Sequence, residues 1–357
     1  MTGFLIIAVL VLFAVAVWQM KGIFQLSQIK KGDDSQIAND KDNRFNGKLM
    51  LWFLVFFYVF LIYGFWKWSS VLLPEAASEH GKDIDLLMLI SMAIIMFVLV
   101  VTHFILLFFA YKYHGRKGQK AVFFADNDKL EFIWTIIPVI VLAGLIIYGL
   151  FTWTDIMNVS EDDDTLVVEL YAQQFIWQAR YAGEDNVLGE ANVRFIEGVN
   201  TMGIDPSDPN AMDDVFAENM AKKLLLPVGK KVLFKMRSQD VLHSAFMPHF
   251  RAQMNTVPGM ITQFAFTPTI TTEEMRQTPE IIEKVENINQ LRNDKNVELA
   301  ARGEEPLDPY EFDYLLLCNK ICGASHYNMQ MNIIVVSQEE FDAWMAEQTT
   351  FGETLNP

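Results

Sequence analysis

Four uncharged, apolar runs fall within the first 153 residues: Gly3–Met20, Leu49–Trp66, Leu86–Tyr111 and Phe132–Trp153. Each approaches or exceeds the ~17–25 residues with which a helix crosses the hydrocarbon core of a bilayer. Inside lipid every backbone N–H and C=O must be satisfied within the protein, so such runs can only be helices there. The first is among the shortest, and "AVA" at Ala14–Ala16 resembles a signal-peptidase site. No Lys or Arg precedes that apolar run, so it reads as a retained anchor.

The charges between the runs orient them. Lys21, Lys30, Lys31, Lys41, Arg44 and Lys48 follow the first; Lys112, Arg116, Lys117, Lys120 and Lys129 follow the third. The segment between the second and third, "PEAASEHGKDID", is mostly acidic. The positive-inside rule assigns both basic loops to the cytoplasm, which puts both termini and everything beyond Trp153 outside. Trp and Tyr at the run ends (Trp18, Trp66, Trp68, Tyr111, Trp134, Trp153) read as interfacial anchors. His103 lies inside the third run with no second ligand at helical spacing, and reads as a packing residue.

A positive mean hydropathy coexists with a formal charge of −16. One globular domain rarely combines the two; a membrane part joined to an acidic soluble part does. Beyond Asp164, "TLVVELYAQQFIWQARY", "KKLLLPVGKKVLFKMRS", "MITQFAFTPT" and "MQMNIIVVS" are rich in β-branched and aromatic residues and read as strands. The fold predicted is an α-helical anchor of four transmembrane helices plus an extracytoplasmic all-β barrel or sandwich. Two segments interrupt the strands. Residues 183–221 are acidic and turn-rich; residues 272–313 are charged and helical in character. Both read as insertions at loops.

The only two cysteines, Cys318 and Cys322, stand in "LLLCNKICGASHYNM". Outside the cytoplasm two cysteines commonly form a disulfide, which would leave His326 and Met329 without a role. Zinc takes thiolates and imidazoles but has no use for a thioether. Thiolate, imidazole and a weak methionine ligand on one loop, with a histidine from elsewhere, suit a copper electron-transfer site. His243 in "SQDVLHSAF" is available as that histidine. One cysteine suffices for a single copper; a second allows two thiolates to bridge two ions.

At these residues the chain resembles subunit II of haem–copper cytochrome c oxidases, whose domain is cupredoxin-like and carries a binuclear CuA centre. That family's loop reads C-x-E-I-C-G-x-x-H-x-x-M, against "CNKICGASHYNM" here. "SQDVLHS", "LEFIWTIIPVIVL" and "NTVPGMITQ" resemble three further family segments, all in family order. The resemblance implies that Cys318 and Cys322 bridge two copper ions, that His243 and His326 each bind one, and that Met329 and the carbonyl of Lys320 complete the set. It also implies reduction of the centre by a cytochrome c. Electrons then pass to haem held by subunit I, where oxygen becomes water and protons are translocated. This chain would hold no catalytic residue for that step. Asp240 would accept hydrogen bonds at the subunit I surface, and Glu131 would stand at the mouth of a proton channel. Residues 1–73 would be two additional helices with a cytoplasmic loop, 74–156 the family's transmembrane hairpin, and 157–357 a periplasmic CuA domain anchored in the inner membrane.

Several positions depart from the pattern. Lys320 replaces a glutamate that reaches a magnesium ion at the subunit I interface, which puts that ion in doubt. Phe175 replaces the first tryptophan of a Trp-Tyr-Trp strand, the expected electron acceptor, while Trp177 is kept. No Cys-x-x-Cys-His occurs, so no c-type haem is fused here. Subunits I and III, a cytochrome c donor and a larger respiratory assembly through the extra helices are the partners implied; nucleic acid is not. Two related readings fit less well. Nitrous oxide reductase shares CuA but needs a histidine-rich cluster, and this chain has only six histidines, two already committed. The quinol-oxidase subunit II relative lacks the copper ligands. A membrane-anchored protein with a structural metal or disulfide is the alternative of a different class.

Overall fold

The computed structural model describes residues 2–27, 39–158, 165–216 and 223–355. Lys30 and Lys31 of the first basic loop, residues 159–164 before the first strand, and residues 217–222 at the end of the first acidic segment lie outside the described residues. The chain divides into two compact units: Met1–Ser69 with Ala93–Phe132, and Ser70–Met92 with Ile133–Pro357.

The helices are α1 (Thr2–Ser27), α2 (Asp40–Trp68), α3 (Glu79–Lys112) and α4 (Asp128–Met157). Among the described residues, α2, α3 and α4 are long and apolar enough to cross a membrane. The fourth expected span falls on α1, whose apolar described stretch, Ile7–Ile23, is shorter. Each long helix begins or ends several residues outside its uncharged run, because a helix continues through the interface into polar sequence. At the start of α2, Asn39 caps the helix by accepting from the Asp42 N–H at 3.0 Å. Inside the first unit, His103 donates its Nδ1–H to the Leu99 carbonyl (2.9 Å) and stacks on Phe57. It is a packing residue, as its isolation in the sequence suggested.

The second unit contains two five-stranded sheets. One runs β3 (Val215–Phe216), β2 (Ile176–Tyr181), β1 (Leu166–Gln173), β5 (Val232–Ser238), β8 (Thr262–Phe266). The other runs β4 (Lys223–Pro227), β10 (Gln330–Val336), β9 (Tyr314–Cys318), β6 (His243–Met247), β7 (Ala252–Thr256). Central β1 is buried on both faces, which is why it reads as a nearly continuous apolar run. Strands β9 and β10 alternate instead, with Tyr314, Leu316 and Cys318 inward and Met331, Ile333 and Val335 inward opposite them. Val168, Leu170, Phe234 and Met236 meet Leu224, Leu226, Ala245, Tyr314, Leu316 and Ile333 in one core between the sheets. The all-β expectation holds.

The first acidic segment is more than a surface loop. Met202, Ile204 and Ala211 are fully buried with Tyr171 and Phe351, and β3 extends the first sheet through β2. Phe351 comes from α8 (Phe351–Leu355), which follows α7 (Gln338–Ala346). The second segment is α5 (Thr272–Arg276), α6 (Pro279–Arg302) and an extended return to β9. Residues before α3 are stitched into the sandwich: the Ala77 N–H donates to the His249 carbonyl (2.7 Å) and Ser78 Oγ to the Phe250 carbonyl (2.7 Å). Arg251 clamps Asp85 at 2.8 Å and donates to the Pro74 carbonyl at 2.6 Å.

Candidate metal centre

The centre is assembled where β6, β9 and the loop into β10 meet. Register brings Ala245 opposite Cys318, two residues beyond His243, and Cys318 ends β9 on its inward-facing side. The loop then folds back. Cys318 N–H donates to the Met329 carbonyl (3.1 Å), and a short 3₁₀ turn, His326–Asn328, turns the chain into β10. Twelve residues thereby present two thiols, an imidazole and a thioether to one point, with His243 supplied from the neighbouring strand.

The donor atoms are close enough to share ions. Cys318 Sγ and Cys322 Sγ are 3.8 Å apart, both thiols free. That is well beyond the ~2.05 Å of a disulfide, and it suits two thiolates sharing an ion at about 2.3 Å from each. Around Cys318 stand His243 Nδ1 at 3.8 Å and the Lys320 carbonyl at 3.2 Å. Around Cys322 stand His326 Nδ1 at 3.6 Å and Met329 Sδ at 3.8 Å. His243, Cys318 and Cys322 also form the one His/Cys/Asp/Glu group among the described residues whose donor atoms converge tightly enough for a metal. Every copper ligand implied by the sequence is thus brought together. Soft sulfur donors with two imidazoles fit copper. Burial, and then neighbouring Cys318, push the Cys322 thiol up to about 11. Without a cation the Cys322 sulfur stays protonated, and a bound metal must displace that proton.

The surrounding residues fix the ligands. His243 is fully buried, and its Nε2–H donates to Asp240 Oδ1 at 2.9 Å, which leaves Nδ1 as the bare nitrogen facing Cys318. Asp240 also accepts from the N–H groups of Val241 (2.7 Å) and Gln174 (2.8 Å). Burial opposes its charge, but the bonds from His243, Gln174 and Val241 outweigh it and hold the carboxyl below the usual carboxylate range. Trp177 is buried with its ring edge-on to His243 at 6.3 Å. Phe175, half-buried, lies against the cysteine loop at Gly323. Gly323 has φ +142°, and a Cβ there would come within 2.8 Å of the Phe175 ring, so only glycine fits. The Lys320 side chain is exposed while its carbonyl faces Cys318. Glu131 is exposed in the first turn of α4.

Sequence reasoning missed Gln174, whose side-chain amide donates to the Cys322 carbonyl while its backbone N–H holds Asp240. Its only signal was a polar residue between the strand and the aromatic pair, indistinguishable from a solvent-facing one. It also missed the buried ions Glu169, Arg180 and Asp214. Arg180 donates to Glu169 (2.5 Å), Asp214 (2.5 Å) and the Gly189 carbonyl (2.7 Å), and Arg237 donates to Glu169 as well. These tie the first acidic segment to the sheet rather than to the metal centre.

Helices long and apolar enough to cross a membrane and a two-sheet β domain, whose Cys318-Cys322-His326-Met329 loop meets His243 of a neighbouring strand, define a membrane protein with a cupredoxin-like domain. Two family models match this chain: cytochrome c oxidase subunit II, transmembrane domain, over residues 66–151, and cytochrome c oxidase subunit II, periplasmic domain, over residues 166–285. The alternative cytochrome c oxidase subunit 2 of Bradyrhizobium diazoefficiens is 30% identical over 293 residues, covering 82% of this chain and 88% of the relative. Cytochrome c oxidase subunit 2 of Cereibacter sphaeroides is 23% identical over 283 residues, covering 77% of each. Among solved structures, the periplasmic domain of subunit II of cytochrome oxidase of Bradyrhizobium japonicum is similar over 53% of this chain and 94% of its own, with 17% identity and a TM-score of 0.30. The chain belongs to the cytochrome c oxidase subunit II family and is a subunit of an oxidoreductase complex.

Proposed function

We propose that this chain is the electron-accepting subunit of a haem–copper oxidase, taking electrons from a cytochrome c and delivering them to haem in subunit I for reduction of oxygen to water. The observation that carries this is the division of six donors into two sets around paired thiols 3.8 Å apart. One set is His243 Nδ1 and the Lys320 carbonyl; the other is His326 Nδ1 and Met329 Sδ. Six donors exceed what one tetrahedral ion takes, so the reading is two coppers bridged by Cys318 and Cys322. When bound, copper supplies a one-electron carrier.

The chain's own part is to keep that carrier's ligands still. Cys318 and His243 are anchored in adjacent strands, Met329 is buried, and Asp240 fixes the His243 tautomer. Little ligand movement between redox states means a small reorganisation barrier. Trp177 and Phe175, packed against His243 and the copper loop, are the aromatic route by which an electron reaches it. Asp240 keeps one face toward solvent and subunit I. Glu131, in the first turn of α4, is the proton-uptake residue for subunit I; its acid also complements the helix dipole there by about 0.3–1 kcal/mol.

A magnesium ion does not fit this chain's part of the interface, because Lys320 offers an ammonium where magnesium needs carboxylate oxygen. The lysine's fixed charge stands in for it. The boundaries 1–73, 74–156 and 157–357, the copper domain and both termini on the periplasmic side of an inner membrane, and subunits I and III as partners belong to the same reading. So does contact with a larger respiratory assembly through α1 and α2. The competing assignment is a structural metal site. Metal analysis and electron paramagnetic resonance of the purified complex separate the two. Two coppers per chain with one unpaired electron shared by both nuclei are expected; zinc, or one copper with a mononuclear signal, overturns the proposal.

A further inference from the structure

A cavity of about 620 Å³ opens between α1 and the first turns of α2, in the first compact unit. Its walls are aromatic and cationic. Trp18 of α1 meets Phe45 of α2 edge-on at 6.2 Å within this lining. Lys41, Arg44 and Lys48 also line it, at intervals of three and four residues that keep them on one side of α2 with Phe45. Two acids also line it, Asp40 and Asp42, but both are engaged at the helix start. Asp40 accepts from the Lys117 N–H at 2.7 Å and Asp42 from the Asn39 amide at 2.7 Å. Ion pairs among the described residues leave Lys41, Arg44 and Lys48 without a carboxylate partner.

The level of the cavity says what it can hold. The uncharged run of α1 ends at Met20, before Lys21, and that of α2 begins at Leu49, after Lys48. Trp18, Phe45 and Lys48 therefore stand where both helices pass from apolar to charged sequence, the depth at which a bilayer carries its phosphates. More cations gather at the same end. The Asn43 side chain donates to the Gly115 carbonyl (3.3 Å), and with the Asp40–Lys117 bond it draws Arg116 and Lys117 beside the start of α2.

We infer that this cavity binds the headgroup of an anionic phospholipid. A phosphodiester presents two oxygens that a guanidinium grips in a fork, here Arg44, with Lys41 and Lys48 as flanking charges. Trp18 and Phe45 offer the amphipathic floor on which the glycerol and upper acyl chain lie. The volume is in the range of ordinary ligand pockets. The lining carries three cations against two acids already accepting hydrogen bonds from Lys117 N–H and Asn39, so its net positive charge favours a headgroup without an ammonium. Basic pockets between transmembrane helices act this way elsewhere.

The test uses the full chain, purified with its accompanying subunits, delipidated, and given dioleoylphosphatidylglycerol, dioleoylphosphatidylcholine or inorganic phosphate. Native mass spectrometry should show phosphatidylglycerol retained about tenfold better than phosphatidylcholine. The triple variant K41Q/R44Q/K48Q should lose that preference, while K112Q/K120Q/K129Q, with the same charge change outside the cavity, keeps it. Hydrogen exchange of wild-type residues 40–48 should slow with phosphatidylglycerol and not with phosphatidylcholine, a reading that needs no variant. Equal retention of both lipids overturns the inference, as does equal loss in both triple variants. Displacement of phosphatidylglycerol by millimolar inorganic phosphate would make the site one for free anions and overturn the lipid assignment.

Discussion

The helical anchor and the β domain solve opposite solvent problems with the same residue types. In α2, α3 and α4 the large apolar side chains point outward: Ile62 is 71% exposed and Phe151 72%, and α4 buries no residue at all. In the β domain Val168, Leu170, Phe234 and Leu316 are fully enclosed. The anchor therefore draws its stability from lipid or partner subunits outside it and from backbone bonds within each helix. The β domain draws its stability from burial, and any polar group inside must be paired or must wait for a metal. Charge shows the difference best. The anchor keeps its charges at helix ends, whereas the β domain encloses Glu169, Arg180 and Asp214.

Removing the cation from that enclosed cluster is the hardest blow to the comparison. Arg180→Ala would leave buried Asp214 without its cation and Glu169 with Arg237 alone, and breaking such a buried pair costs about 3–5 kcal/mol. The β domain should melt far below the wild type by near-ultraviolet circular dichroism, while the far-ultraviolet helical signal of the anchor persists. Joint loss of both signals would mean that the two regions do not stand on separate sources of stability.

A smaller effect comes from protons. Burial first, then Lys284 and Arg251, lower His249 to about 4, so the folded domain holds it neutral among Phe312 and Tyr314. The unfolded chain protonates near 6.5, so this contribution is complete above that pH and is lost as pH falls toward 4. At roughly 1.4 kcal/mol per unit it amounts to about 3 kcal/mol. Asp214 acts in the opposite sense: burial raises it to about 7, so its contribution is lost as pH rises between about 4 and 7. Comparing the wild type with His249→Phe cancels what both share. The variant's melting temperature should fall less on acidification; identical profiles would remove His249 from the account.

Next in size is Asp240→Asn. The amide can still meet His243 but presents a weaker acceptor, and residues that orient a metal-bound imidazole are worth about 10–100-fold in metal affinity. Copper affinity by competition with a chelator should fall within that range while thermal stability without metal barely moves. Unchanged affinity with slower electron delivery to haem would assign Asp240 to the subunit I surface instead.

The two regions also differed in how much the sequence disclosed. An apolar run is a local signal, and the anchor was legible to within two to three turns at each end. So was the metal loop, because Cys318, Cys322, His326 and Met329 lie within one turnback, and only His243 needed a second motif. Strand identity was legible in β10 from its apolar, β-branched run, whereas β9 was not read as a strand. Sheet membership was not: β4 and β5 are four residues apart yet join different sheets, β4 beside β10 and β5 beside β1. Nothing local to those strands decides this, since the pairing depends on residues a hundred positions away. The buried ions hid for the same reason. Glu169 and Arg180 look like solvent-facing residues of their strands until Asp214 and the segment before it close over them.

That closed segment contrasts with the other one, and the smallest predicted effect tests the difference. Beyond its first turns α6 has little core to lean on: Ile281 is its only buried residue among those described. Its return strand is held by side chains instead. Asn289 exchanges two bonds with Tyr310, accepting from its N–H (2.6 Å) and donating to its carbonyl (3.1 Å). Asn296, two turns on, does the same with Leu307 at 2.7 and 3.0 Å. Each asparagine imitates a strand neighbour, and these bonds are exposed or half-buried, so each is worth only about 0.5–1.5 kcal/mol. Asn289→Ala and Asn296→Ala should therefore leave the melting temperature of the β domain nearly unchanged. Hydrogen exchange at the Tyr310 and Leu307 amides should quicken by roughly five- to tenfold per variant, the same energy expressed locally. A drop in global stability would instead show that this arm, like the first acidic segment, is part of the core it leaves.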